Sequence, residues 1–167
     1  LTAFLNLFEV GGLSAGGRAL VHGGGSGVGT ASIQLVKAAG ARILITAGSE
    51  DKCSRCLELG ADVASDYRKE NVAERVREAT GGRGVDVVLD SIGAQYFEGN
   101  LASLATGGRL VLIGLMGGAK VEANLAVLLS RRLHVIGSTL RARHVDEKAA
   151  IVAAFERRFG ADLAAGR

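Results

Sequence analysis

The chain has 167 residues, 48% apolar and 22% charged, which fits one domain of ordinary size and excludes intrinsic disorder. Its 25 glycines without a proline exclude a collagen or a Gly/Pro polymer and point to many tight turns. A net charge of +3, 4% aromatics and no Trp leave no nucleic-acid patch and no stacking platform for single strands.

Residues 2–10 place Phe4, Leu5, Leu7 and Phe8 at helical spacing, and Gly11 and Gly12 end that helix. A first strand at 19–22 runs into the glycine-rich stretch 23–29, followed by a helix at 30–39. The second strand, 42–46, leads to a helix that Ser49 caps, with Glu50 and Asp51 in its first turn and Gly60 beyond its end. A third strand at 62–65, a helix at 71–79 and a fourth strand at 85–89 come next. A helix at 95–104 stops at Gly107 and Gly108, and the fifth strand covers 110–113. A helix at 125–129, a sixth strand at 133–136 and a last helix at 145–159 complete the chain.

Six apolar strands alternating with helices predict a parallel sheet covered on both faces. The crossover rule then gives an α/β doubly wound sheet, a Rossmann fold of order 3-2-1-4-5-6. Such a sheet binds its ligand outside the carboxyl ends of the strands. No apolar run nears the 18 residues of a membrane span, and no basic leader precedes an apolar one. Cys53 and Cys56 cannot make a disulfide scaffold, so a cytoplasmic, reducing setting is expected. The chain opens without Met inside a helical pattern, which points to a piece of a longer protein.

The stretch Gly25-Ser26-Gly27-Val28-Gly29-Thr30 follows a strand and opens a helix. Glycine there lets the backbone approach a pyrophosphate, and the helix N–H groups supply donors. No Gly-Lys-Ser/Thr follows, which excludes a P-loop. The bland alternative is a glycine-rich turn without a ligand. The second strand ends in Thr46-Ala47-Gly48-Ser49, with no acid to hold ribose hydroxyls. With Lys52 one turn in and Tyr67 after strand three, this corner favours the 2′-phosphate of NADP over NAD. Otherwise Lys52 is a solvated helix residue and Tyr67 covers the core edge.

Cys53 and Cys56 form a CxxC inside a helix, and no second pair completes a zinc site, so no metal is expected. His22, His134 and His144 pair with no nucleophile; His22 reads as a strand-end residue under the glycine loop. Arg131, Arg132, Arg141 and Arg143 read as a solvated basic face, with the role of Arg141 and Arg143 left open. Asp90, at the end of strand four, reads as structural.

Several strings together, in order along nearly the whole chain, resemble one family. They are residues 21–31 with Gln34-Leu35, Thr46-Ala47-Gly48-Ser49, Asp90-Ser91-Ile92-Gly93, Gly114-Leu115-Met116-Gly117-Gly118 and Gly137-Ser138-Thr139-Leu140-Arg141. The family is the zinc-independent NADPH:quinone oxidoreductases of the medium-chain dehydrogenase/reductase superfamily, the group that includes zeta-crystallin. The resemblance implies NADP as cofactor and a quinone or similar activated double bond as substrate. It places Ser26, Gly27 and Val28 on the pyrophosphate, and Gly48, Ser49, Lys52 and Tyr67 on the adenosine phosphate. Ser91, Ile92, Gly114, Leu115, Met116, Ser138, Thr139 and Leu140 would line the nicotinamide side, with Thr2 near it. Members of the family are about twice this length, with a GroES-like catalytic domain before this region. Residues 1–167 therefore read as the dinucleotide-binding domain alone, and catalytic residues are not assigned. An enoyl reductase of the same superfamily and a non-catalytic nucleotide-binding module remain alternatives.

Strand six is an unprotected sheet edge with apolar Leu133, Val135 and Ile136, which predicts a homodimer through that edge. The resemblance implies the same. The alternative is an edge covered by residues 118–123.

Overall fold

The computed structural model describes residues 1–166. Helix α1 (Thr2–Phe4) continues as a π-helical turn, Leu5–Val10. Then come β1 (Arg18–His22), α2 (Gly27–Ala38), β2 (Arg42–Ala47), α3 (Glu50–Glu58), β3 (Val63–Asp66), α4 (Val72–Ala79) and β4 (Val85–Asp90). A 3-10 turn (Ala94–Tyr96) leads into α5 (Phe97–Ser103), β5 (Leu104–Leu112), α6 (Leu125–Arg131), β6 (His134–Gly137) and α7 (Val145–Ala164). All neighbouring strands are parallel, in the order β3-β2-β1-β4-β5-β6, as the sequence predicts.

The strands alternate their side chains between two apolar layers. Ala19, Val21, Ile43, Ile45, Val87 and Leu89 face one layer with Ile33 and Val36 of α2. Leu20, Leu44, Val88 and Leu110 face the other, with Val76 of α4 and Leu101 of α5. Burial on both faces is why these strands read as unbroken apolar runs rather than alternating ones. Phe4 and Phe8 meet Phe155 and Phe159 of α7 at ring separations of 5.4 to 6.0 Å, and Arg158 lies 4.2 Å above Phe8. The first and last helices are thereby packed together.

Several boundaries differ from the sequence reading. Helix α2 starts at Gly27, three residues before Thr30, because the Ser26 hydroxyl accepts from the Gly29 N–H at 3.0 Å and caps it there. Its first turn holds glycines, which propensity alone argues against. The first helix turns π-helical after Phe4. The helix expected at 95–104 divides into the 3-10 turn and α5, and β5 opens early at Leu104. Gly107, with φ of 79°, bends that strand before Arg109 resumes pairing with Val87. Arg131 is not part of a solvated face. Its guanidinium donates to the carbonyls of Leu101 at 2.9 Å and of Leu104, so it closes the carboxyl end of α5.

At the carboxyl ends of the strands a buried polar chain crosses the sheet. The Thr46 hydroxyl donates to His22 Nδ1 at 3.1 Å, and His22 Nε2 donates to Asn100 Oδ1 at 2.7 Å. Asn100 Nδ2 donates to Asp90 Oδ2 at 3.0 Å, and the Asp90 carboxyl accepts from the N–H groups of Ile92 at 2.6 Å and Gly93 at 3.0 Å. Each donor has an acceptor, so β2, β1, α5 and β4 are joined without an orphaned group in the chain. Burial holds the His22 imidazole below its ordinary value of 6.5, against the hydrogen bond to Asn100 and the charge of Asp90. A depressed histidine makes the fold lose stability as pH falls, because the unfolded chain takes up the proton first. Urea unfolding between pH 7 and 5 should therefore show stability falling below pH 6.5, with this group contributing up to about 1.4 kcal/mol per pH unit. His22→Gln should flatten that part of the profile.

Candidate functional site

The loops that follow β1, β2, β4, β5 and β6 meet at one rim of the sheet. In the first loop, a Cβ on Gly29 would lie 2.3 Å from the Gly23 carbonyl oxygen and 2.6 Å from Gly24 Cα. Only glycine lets α2 sit that close to the end of β1. Gly24 is confined less severely, by the Ile45 side chain at 2.9 Å and the Cys56 sulfur at 3.0 Å. At Gly27, by contrast, a Cβ would meet nothing within 4 Å. Gly27 and Val28 occupy the first two positions of α2, where helix geometry leaves the backbone N–H groups without internal partners. They face outward at the positive end of the helix.

Of the residues expected on the pyrophosphate, Ser26 is engaged with the fold. Its hydroxyl caps α2, and its own N–H donates to the Gly23 carbonyl at 2.9 Å. Of these three residues, Gly27 and Val28 keep free backbone donors.

The loop after β2 lies beside it. Lys52 runs along the glycine loop, its Cδ 3.8 Å from the Cβ position of Gly25. The Tyr67 hydroxyl stands 2.8 Å from the Cβ position of Gly48, a place no side chain at 48 could share. Ser49 caps α3 through the Lys52 N–H at 3.3 Å. Gly48, Ser49, Lys52 and Tyr67 are thus gathered at one corner. The nearby acids are otherwise engaged: Glu50 pairs with Lys69 at 2.6 Å, Asp51 with Arg55 at 3.3 Å, and Asp66 accepts from the Arg68 N–H at 3.0 Å. Arg68 adds a second cation, 6.0 Å from the Tyr67 ring centre. Nothing in the sequence near β2 points to Arg68; its only signal is its place directly after Tyr67, beyond the end of β3. A cleft of about 220 Å³ opens next to this corner, between Tyr67, Tyr96, His22 and Asn100.

The loops after β4 and β5 hold each other. Met116 N–H donates to the Ser91 carbonyl at 3.2 Å, Gly117 N–H to that of Ile92 at 2.6 Å, and Ala94 N–H to that of Gly118 at 2.9 Å. Gly114 is needed there, since its Cβ would lie 2.9 Å from the Ser91 carbonyl oxygen. Leu115 and Met116 project from these loops, Met116 at 77% exposure. After β6, Ser138 N–H bonds the Leu112 carbonyl at 2.9 Å, yet its buried hydroxyl has no partner. Leu140 packs on the apolar layer, and Arg143 donates to the Thr139 carbonyl at 2.9 Å while pairing with Glu147 at 3.4 Å. Arg143 therefore holds its own loop, and Arg141 stays exposed with its carbonyl accepting from Lys148 at 2.9 Å. Thr2 comes from a different direction, on α1, which packs against α2.

Cys53 and Cys56 lie within α3, as the sequence predicts. Burial raises the Cys53 thiol, with Asp66, Cys56, Glu70 and Glu50 adding to it, and burial raises Cys56 as well. Neither is an activated nucleophile. Among the described residues no three His, Cys, Asp or Glu side chains converge to hold a metal ion, and no helix is long and apolar enough to cross a membrane.

Comparison with known proteins bears on the family and the fold. The sequence pattern of the zinc-binding dehydrogenase family matches residues 27–156. A phenolphthiocerol/phthiocerol polyketide synthase of Mycobacterium tuberculosis is 42% identical over 114 residues, 68% of this chain and 5% of the synthase. The crystal structure of Escherichia coli quinone oxidoreductase complexed with NADPH superposes with a TM-score of 0.82 at 30% identity, over 92% of this chain and 48% of that one. A chain put forward as the enoyl reductase domain of a polyketide synthase gives 0.82 at 34% identity, over 96% of this chain and 90% of that one. The chain thus spans a small part of the synthase and about half of the quinone oxidoreductase. A family match of this extent shows that the chain belongs to the zinc-binding dehydrogenases, within the medium-chain dehydrogenase/reductase superfamily.

Proposed function

We propose that residues 1–167 are the NADPH-binding domain of a longer oxidoreductase that reduces a quinone or a similar activated double bond. The observation that carries this reading is the corner after β2: no carboxyl group at the strand end, and Lys52 and Tyr67 gathered beside the glycine loop. Three further features fit the same cofactor. Gly27 is open above two free N–H groups, the Gly48 cradle is shaped by the Tyr67 hydroxyl, and the buried Ser138 hydroxyl lacks a partner.

In this reading Gly27 and Val28 hold the pyrophosphate by backbone donors at the positive end of α2. Lys52 balances the 2′-phosphate charge, with the Ser49 and Tyr67 hydroxyls as neutral hydrogen-bond donors beside it. The interlocked loops carrying Ser91, Ile92 and Gly114 to Met116 form a fixed floor for the nicotinamide, with Ser138 to Leu140 beside it and Thr2 above α2. NADPH, when bound, supplies hydride from its nicotinamide, and the protein's task is to orient it and exclude water. A zinc ion finds no donor set among the described residues, and no step here uses one.

A second reading shares the site and changes the substrate. Similarity to a polyketide synthase and to a chain put forward as an enoyl reductase domain favours an enoyl thioester as hydride acceptor. Turnover of quinones against enoyl thioesters by the full-length gene product separates the two, and turnover of neither favours a non-catalytic nucleotide-binding module.

The two free thiols suit a reducing compartment, and we place the protein in the cytoplasm. We also place a two-fold homodimer contact at β6, an outer strand with Val135 39% exposed and Leu129 of the adjoining α6 82% exposed.

Calorimetry should show NADPH binding more tightly than NADH, with Lys52→Ala narrowing the gap by about 1–2 kcal/mol. Equal affinities for the two cofactors would remove the phosphate corner. Gly27→Val should abolish NADPH binding while circular dichroism stays that of the folded domain, since the position is open in the fold. Light scattering at tens of micromolar should report a dimer that Val135→Pro converts to monomer, the proline having lost its ladder N–H.

A further inference from the structure

Resting on the NADPH reading above, we infer that Asn6 is a positioning residue for the cofactor site, acting through Thr2. Asn6 is 1% exposed, in a segment whose other side chains Leu5, Leu7 and Phe8 belong to the core. Its Nδ2 donates to the Thr2 carbonyl at 2.8 Å, while its Oδ1 is buried with no partner. An amide left half-paired in an apolar layer is a worse choice for stability than leucine. Packing alone gives no reason for it.

The direction of the segment supplies a reason. Val10 is fixed at the amino end of the paired stretch of β5, where Arg109 donates to its carbonyl at 3.0 Å. The turn packs along β4 and β5, and at the other end of the segment α1, which carries Thr2, packs against α2, the helix whose first residues are Gly27 and Val28. The turn is π-helical, with the Gly11 N–H donating to the Asn6 carbonyl five residues back. Such a turn shifts the hydrogen-bond ladder by one residue at its start. Asn6 adds a side-chain donor there, fixing the Thr2 carbonyl and hence the first turn that presents the Thr2 hydroxyl. The π-helical turn and its buried amide together form a bracket for one residue at the nicotinamide end.

The test compares two ligands: NADPH, which spans the site, and 2′,5′-ADP, which occupies the adenosine half only. Asn6→Leu should weaken NADPH about five- to tenfold, the worth of one net hydrogen bond, and leave 2′,5′-ADP affinity and the thermal midpoint no lower than in the wild type. Thr2→Ala should weaken NADPH similarly, and the double variant should be no weaker than either single one. Asn6→Ser, whose hydroxyl can donate to the same carbonyl, should restore NADPH to within about twofold. Asn6→Ala replaces Asn6→Leu in the cycle if the leucine variant does not fold. A loss shared equally by both ligands, no loss at all, or losses that add in the double variant overturn the inference. A wild-type protein that binds neither ligand overturns the cofactor reading, and the inference with it.

Discussion

The arrangement of the rim depends on one run of buried hydrogen bonds, from Thr46 through His22 and Asn100 to Asp90. Each group in it is costly to bury alone and satisfied only when its neighbours are in place. The run spans β2, β1 and β4, so the ends of three strands are aligned by polar chemistry as well as by the ladder. It closes on the N–H groups of Ile92 and Gly93, so the loop after β4 is fixed by the same residues. His22 serves this purpose as a neutral ring, which burial favours.

Above that run, what the rim can bind is decided by where glycine is obligatory and where it is free. Gly24 and Gly29 are confined by backbone and core atoms, and they bring α2 onto β1. Gly27 has nothing within 4 Å of its Cβ position, so the fold itself does not demand a glycine there. Charge is divided in the same way. Glu50, Asp51 and Asp66 are drawn into pairs and turns of their own, which leaves Lys52 facing the loop without an acid to neutralise it. The phosphate contact proposed for this corner rests on that division.

Much of this was legible in the sequence, for a physical reason. Strands buried on both faces are short apolar runs, and glycine turns punctuate them, so element type, strand order and the rim location all follow from local pattern. The cap at Ser49 is local too, and α3 begins where the sequence says. What was not legible depends on distance or on competing local preferences. Asn100 lies 78 residues from His22, and no spacing announces the pair. Arg131 reads as one of a basic cluster, yet it reaches back 30 residues to the end of α5. The start of α2 was hidden because a serine cap overrides the poor helix propensity of two glycines. The π-helical turn has no period of its own in the apolar pattern, and nothing in that pattern singles out Asn6.

The position of β1 in the middle of the sheet has a kinetic consequence. One of its partners is close along the chain: Thr46 reaches His22 across 24 residues. The other side waits for β4 and α5, and the matching contact of Asn100 closes 78 residues. Loop-closure entropy makes the longer search costlier by about 1 kcal/mol. The half-sheet β1-β2-β3 can therefore assemble first, with one flank of β1 and the His22 ring still wet. Docking of β4 and α5 dries that flank and aligns the rim, so the ligand site is complete only once both halves of the sheet are joined.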